Sequence, residues 1–184
     1  MTTTDGPAAD EDRRPTSRSR SSRGPSRLTC LGPTAQPAFD AVTSASVVAV
    51  ADDGRLVLAD LARGLDLPGG HVQWRDTSPE ETARRETLEE IRAELGSLTP
   101  VEVIESDHFG PDDLTYMIIY VARIRRLLPW ADGHESAGRV ILSPTEFLAA
   151  YRGTRPGLMR HLVSSALTAL TAGQRAPEGA SEPG

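Results

Sequence analysis

Between residues 39 and 173, short β-branched and aliphatic runs alternate with segments whose apolar residues recur at helical spacing. Residues 46–51 (SVVAVA) form a β-branched run that stops at Asp52-Asp53-Gly54, and residues 55–59 (RLVLA) resume it, so the pair predicts a hairpin. Residues 69–74 (GGHVQW) read as a glycine turn entering a short strand. Residues 101–104, 114–124 and 139–142 predict further strands, the second apolar on both faces. Ser143-Pro144-Thr145-Glu146 signals a helix start, and a last helix over 156–172 carries Leu158, Leu162, Ala166 and Leu170 on one stripe. The sum is an α/β fold with a mixed sheet between helices.

The most informative segment is 78–95. Ser78 suits the N-cap, Pro79 the first helical position and Glu81 the third, which predicts a helix running to Leu95 with Gly96 as C-cap. At 100° per residue, Leu88, Ile91 and Leu95 share an arc of about 60°, flanked by Ala83 and Thr87, and this face is expected on the sheet. Glu86, Glu89 and Glu90 fall on another arc of about 100°, roughly opposite. Like charges at i, i+3 and i+4 cost about 0.2–0.5 kcal/mol per pair. Taken alone, the helix reads as a solvated acidic face balanced by Arg84, Arg85 and Arg92. Converging carboxylates are also the oxygen ligands that hard divalent cations require. The glycines upstream turn the balance toward the second reading. Gly69-Gly70 permits a close backbone approach, and 73–77 return the chain to the helix start, whose amides suit a phosphate.

Composition narrows the setting. The 184 residues carry 20 basic and 26 acidic side chains, a net charge of -6, which argues against a free-standing nucleic-acid binder. Every basic residue is Arg. Residues 1–38 are rich in Arg, Ser, Pro and Gly and poor in apolar residues, so they read as a disordered tail whose removal leaves the fold intact. Residues 174–184 read likewise, leaving 39–173 as one domain. Cys30 is the only cysteine and has no visible His partner, so it forms no intrachain disulfide and receives no catalytic role. No apolar run approaches the roughly 20 residues of a membrane span, and no signal peptide is apparent, so a cytoplasmic protein is expected.

The stretch Leu67-Pro68-Gly69-Gly70-His71-Val72, followed by Thr77-Ser78-Pro79-Glu80-Glu81-Thr82-Ala83-Arg84-Arg85-Glu86-Thr87-Leu88-Glu89-Glu90, resembles the Nudix box. That box reads G-x5-E-x7-R-E-U-x-E-E-x-G-U, where U is aliphatic. The resemblance extends loosely over 39–173. It implies a Nudix-type α/β/α sandwich and a pyrophosphohydrolase using Mg²⁺ or Mn²⁺ on a nucleotide-type small molecule. By the same resemblance Glu86, Glu89 and Glu90 are metal ligands, Gly70 brings its backbone to the metal or phosphate, and Arg85 orients the glutamates. The resemblance makes Glu135 on the 131–138 loop the candidate general base, with Glu89 or Glu90 within the box as its rivals. Trp74 and Phe109 are candidates for contact with the substrate base, and His71 for a positioning role. Three positions depart from the pattern. Asp76 stands for the loop glutamate in a loop one residue longer than the box, Thr77 being the rival by backward counting. Thr87 occupies an aliphatic position. Arg92 replaces the glycine, from which the helix is expected to continue to Gly96. A non-hydrolytic ligand sensor is the alternative function, and a homodimer is left open.

Overall fold

Strands that are apolar at successive positions need cover on both faces, and the architecture supplies it. In the computed structural model, which describes residues 26–130 and 136–173, one nine-stranded mixed sheet lies between helices. In chain order the elements are β1 (Leu28–Cys30), β2 (Val42–Val50), β3 (Leu56–Leu61), β4 (Gly64–Asp66), β5 (Gly69–His71), α1 (Pro79–Ile91), β6 (Ala93–Leu95), β7 (Thr99–Ser106), β8 (Thr115–Leu127), β9 (Gly138–Leu142), α2 (Pro144–Ala150) and α3 (Pro156–Gly173). The main path is β1-β7-β8-β2-β3-β4, with β5 on β2, β6 on β8 and β9 on β3. β2 and β8 run parallel; the β7–β8 and β2–β3 pairs are antiparallel.

Alternation along each central strand divides the core in two. Val47, Ala49, Val57, Ala59, Ile118 and Tyr120 face α1, where Ala83 and Ile91 meet them. Val48, Val50, Leu56, Leu58, Ile119 and Val121 face the other way, against Phe147, Leu162, Val163 and Ala166 of α2 and α3. Each such aliphatic side chain contributes roughly 1.5–3 kcal/mol on burial, which compensates for the scarcity of aromatics.

Four expectations are corrected. First, residues 28–38 are not tail: β1 pairs antiparallel with β7, Cys30 opposite Ile104, and Leu31 N donates to Val103 O at 2.9 Å. A three-residue edge strand is too short to leave a periodic signal. Second, α1 stops at Ile91 and not at Leu95. Arg92 takes the left-handed conformation at φ 51° that the box gives to glycine, and Ala93–Leu95 turn into β6. Arg139 on β9 explains how this end is held, since its Nη1 donates to the carbonyls of Ile91, Arg92 and Leu128. Third, Leu88 is 39 % exposed while Thr87 is fully buried. Ala83, Thr87 and Ile91 are buried as the expected face requires, and Leu88 alone of that arc turns outward. Thr87 is tolerated because its hydroxyl donates to Ala83 O at 2.7 Å. Fourth, Gly69 and Gly70 are themselves strand, paired with His71 against Ser44–Ser46 of β2.

Candidate active site

The local sequence sets up the site at the joint between β5 and α1. Ser78 caps α1 by accepting from Glu81 N, and Pro79 occupies the first turn. Upstream, Asp76 N donates to Gln73 O, closing a turn with Trp74 and Arg75 at its tip. That turn absorbs the extra loop residue and drives Asp76 inward. Its carboxylate accepts from Gln73 N (2.8 Å), Thr82 Oγ1 (2.9 Å), and Arg85 Nε (3.1 Å) and Nη2 (2.8 Å). Thr77 instead faces outward and bonds through both its amide and its hydroxyl to Glu81.

Arg85 is thereby fixed as a bridge between loop and helix. Its guanidinium also donates to His71 O at 2.9 Å, Glu86 Oε1 at 2.7 Å and Glu89 Oε2 at 3.2 Å. The bidentate grip of the Arg85 guanidinium holds the Asp76 carboxyl far below the usual carboxylate range. Glu90 experiences the opposite environment. It is buried at 5 % exposure and accepts from Gly69 N at 2.9 Å. Burial, and then the nearby charge of Glu86, push it up to about 7 despite that hydrogen bond. This corrects the expectation that all three glutamates lie on the side of α1 away from the sheet.

The same carboxylates open into a cavity of about 590 Å³. Gly69, Gly70, Glu86, Glu89 and Glu90 line one end; Leu28, Ile104, Met117, Ile119, Leu158 and Leu162 line an apolar part; Arg63, Tyr151, Thr154 and Arg155 complete the wall. The volume falls within the range of small-molecule sites. A Cβ added to Gly70 would stand 2.5 Å from the Glu86 carboxyl carbon, so only glycine lets the strand approach this closely.

These features fit a divalent cation. The donors are hard oxygens, two of them pre-oriented by Arg85, and their mutual repulsion falls if positive charge joins them. Glu86, Glu89 and Glu90, with the Gly70 backbone, are the residues that would hold it.

A sequence profile of the NUDIX domain matches residues 41–162. The chain belongs to the NUDIX domain family. With the Arg85-Glu86 and Glu89-Glu90 pairs intact it is a Nudix hydrolase, a family that generally uses divalent metals. Solved structures agree on the fold. A mutant of the Bacillus subtilis pyrophosphohydrolase BsRppH shares 23% identity over 83% of this chain and 93% of its own, with a TM-score of 0.62. The NUDIX domain of Shewanella oneidensis NrtR, complexed with ADP ribose, shares 12% over 68% and 88%, with a TM-score of 0.55. A NUDIX hydrolase from Nitrosomonas europaea shares 19% over 74% and 93%, at 0.51. No individually curated protein matches the chain.

In this Nudix hydrolase three residues expected on the substrate side lie off the cavity wall. Trp74 is 87 % exposed, with the Arg75 guanidinium 4.9 Å above its ring. Phe109 meets His108 edge-on at 4.9 Å. Neither they nor Asp76 line the cavity. Asp76 instead bonds the Arg85 guanidinium, and the Gln73–Asp76 turn directs Trp74 away. Glu135 lies outside the described residues. The cavity's apolar wall went unread because Leu28 sits in a stretch with tail composition, while Leu158 and Leu162 belong to a stripe indistinguishable from core. No helix among the described residues is long and apolar enough to cross a membrane.

Proposed function

We propose that the chain is a Mg²⁺- or Mn²⁺-dependent pyrophosphohydrolase acting on a nucleoside diphosphate linked to a second group. The observation that carries this reading is one cavity with a carboxylate end and an apolar end. A cation at the first would neutralise pyrophosphate oxygens and make water more acidic; the second has room and surface for an organic moiety. Arg63 and Arg155 on the wall supply further positive charge toward phosphate. Arg85 keeps Glu86 and Glu89 in place. Among the described residues, Glu89 is the carboxylate best placed to accept a proton from attacking water: it lines the cavity and its side chain is 48% exposed. Glu90 is engaged by Gly69 and sheltered. Substitution at phosphorus needs mainly such positioning and electrostatic support.

The test is a panel of ADP-ribose, sugar nucleotides, dinucleoside polyphosphates and nucleoside triphosphates with Mg²⁺ or Mn²⁺, read as release of nucleoside monophosphate or phosphate. Turnover of a pyrophosphate-linked nucleotide that stops with chelator supports the proposal. Tight binding of such compounds without turnover under either metal would replace it with the sensor function.

A further inference from the structure

On the edge of the sheet, away from the Nudix carboxylates, three metal-ligating side chains from distant parts of the chain converge. Cys30 ends β1, Glu102 lies on β7 and His161 on α3; one ligand atom from each lies within 4.8 Å of the other two. Glu102 is 3 % exposed, an uncommon place for a carboxylate. Its Oε1 accepts from Gly32 N and Val103 N, which turns Oε2 toward His161 Nε2 at 2.7 Å. Burial, and then the neighbouring Glu102 carboxylate, push the Cys30 thiol up.

We propose that Cys30, Glu102 and His161 form a zinc site that clamps the N-terminal strand to the last helix. A thiolate, an imidazole and a carboxylate oxygen are the ligand types zinc takes, at about 2.3, 2.0–2.1 and 2.0–2.2 Å, and solvent completes a tetrahedron. Ligand atoms on such a centre stand about 3.3–3.6 Å apart. The His161–Glu102 contact, 2.7 Å, therefore opens by less than about 1 Å when the ion enters, and the thiol already lies within 4.8 Å of both partners. His161 has room to move, its side chain being 48% exposed. The two amides on Glu102 Oε1 act as the supporting hydrogen bonds that orient a ligand. Sulfur and imidazole favour Zn²⁺ over Mg²⁺, so this centre and the all-oxygen Nudix site select different ions. The three ligand-bearing elements also form the apolar cavity wall, through Leu28 on β1, Ile104 on β7, and Leu158 and Leu162 on α3. Zinc here would set that wall's spacing without touching substrate.

The experiment titrates the full, chelator-stripped, reduced chain with Co²⁺ and then Zn²⁺ in excess Mg²⁺. One equivalent of Co²⁺ is expected to give a thiolate charge-transfer band in the near ultraviolet and the intense visible bands of a tetrahedral ion, both erased by Zn²⁺. Cys30→Ser and His161→Gln should lose the band, and Glu90→Gln should keep it. Zn²⁺ should raise the melting temperature of the wild type by several degrees and leave Cys30→Ser unmoved. Absence of the band in the wild type, its persistence in either ligand variant, its loss in Glu90→Gln, or an equal Zn²⁺ shift in Cys30→Ser would each overturn the proposal. None of these readouts depends on turnover, so the hydrolase reading stands or falls separately.

Discussion

Arg85 is held from both sides, by Asp76 behind and by Glu86 and Glu89 in front. Losing the Asp76 charge should loosen that bridge while leaving every metal-directed carboxylate in place. Asp76→Asn is expected to lower kcat about tenfold, the smaller end of what supporting contacts cost, as steady-state rates will show. The same pair sets an acid limit on stability. Because the folded state depresses the Asp76 pKa, its contribution is complete above the ordinary carboxylate value and is lost as pH falls below it. Urea midpoints of the wild type and Asp76→Asn should therefore differ at pH 7 and converge on acidification. Glu90→Gln is a different kind of change. It keeps shape and the Gly69 hydrogen bond but removes a charge, so a fall in kcat of about 100-fold is expected. In chelator the variant should be at least as stable as the wild type, since a desolvated charge is gone. Rates near wild type on a substrate that the wild type turns over would refute the metal-site assignment.

The end of α1 shows how one element depends on another far along the chain. A non-glycine residue in the left-handed region costs about 1–2 kcal/mol, and Arg92 bears that cost at φ 51°. Arg139 offsets it by satisfying the carbonyls of Ile91 and Arg92 at the helix terminus, where a cation is also favoured, together with that of Leu128 after β8. Arg139→Ala should thus cost about 1–3 kcal/mol, the penalty for leaving such groups unsatisfied. Arg92→Gly should stabilise by about 0.5–1 kcal/mol after the entropy cost of glycine is counted. Denaturant unfolding measures both. Equal and negligible effects would mean the helix end is held by β6 pairing alone.

For the whole molecule, the sharpest consequence concerns the N-terminal strand. β1 covers the edge of β7, Leu28 lines the cavity, and Arg155 Nη2 donates to Ser26 O at 2.7 Å. Deleting residues 1–31 removes all three contacts. We expect a melting temperature lower by several degrees, because about 1 kcal/mol is worth roughly 2–4 °C in a chain of this size. We also expect a KM increase larger than the kcat decrease, since the wall is lost and the carboxylates are not. An unchanged KM would show that substrate does not reach the apolar part of the cavity.

What the sequence by itself determined was whatever is local and periodic: the β2–β3 hairpin, the capped start of α1, the two-faced apolar strands and the spacing from Gly70 through Arg85 to Glu90. Those features follow from side-chain chemistry over a few turns of chain, which is why the Nudix character was legible. The tertiary structure decided the remainder. Leu28 and Leu162 line one cavity, Arg139 ends α1, and His161 meets Cys30 through contacts that span most of the chain. Hydrophobic periodicity assigned Leu88 inward and Glu90 outward, and packing reversed both. A helix face is chosen by the whole sheet it must fit, and at α1 the gain from docking Thr87 and Ile91 outweighs the desolvation of one glutamate beside Gly69.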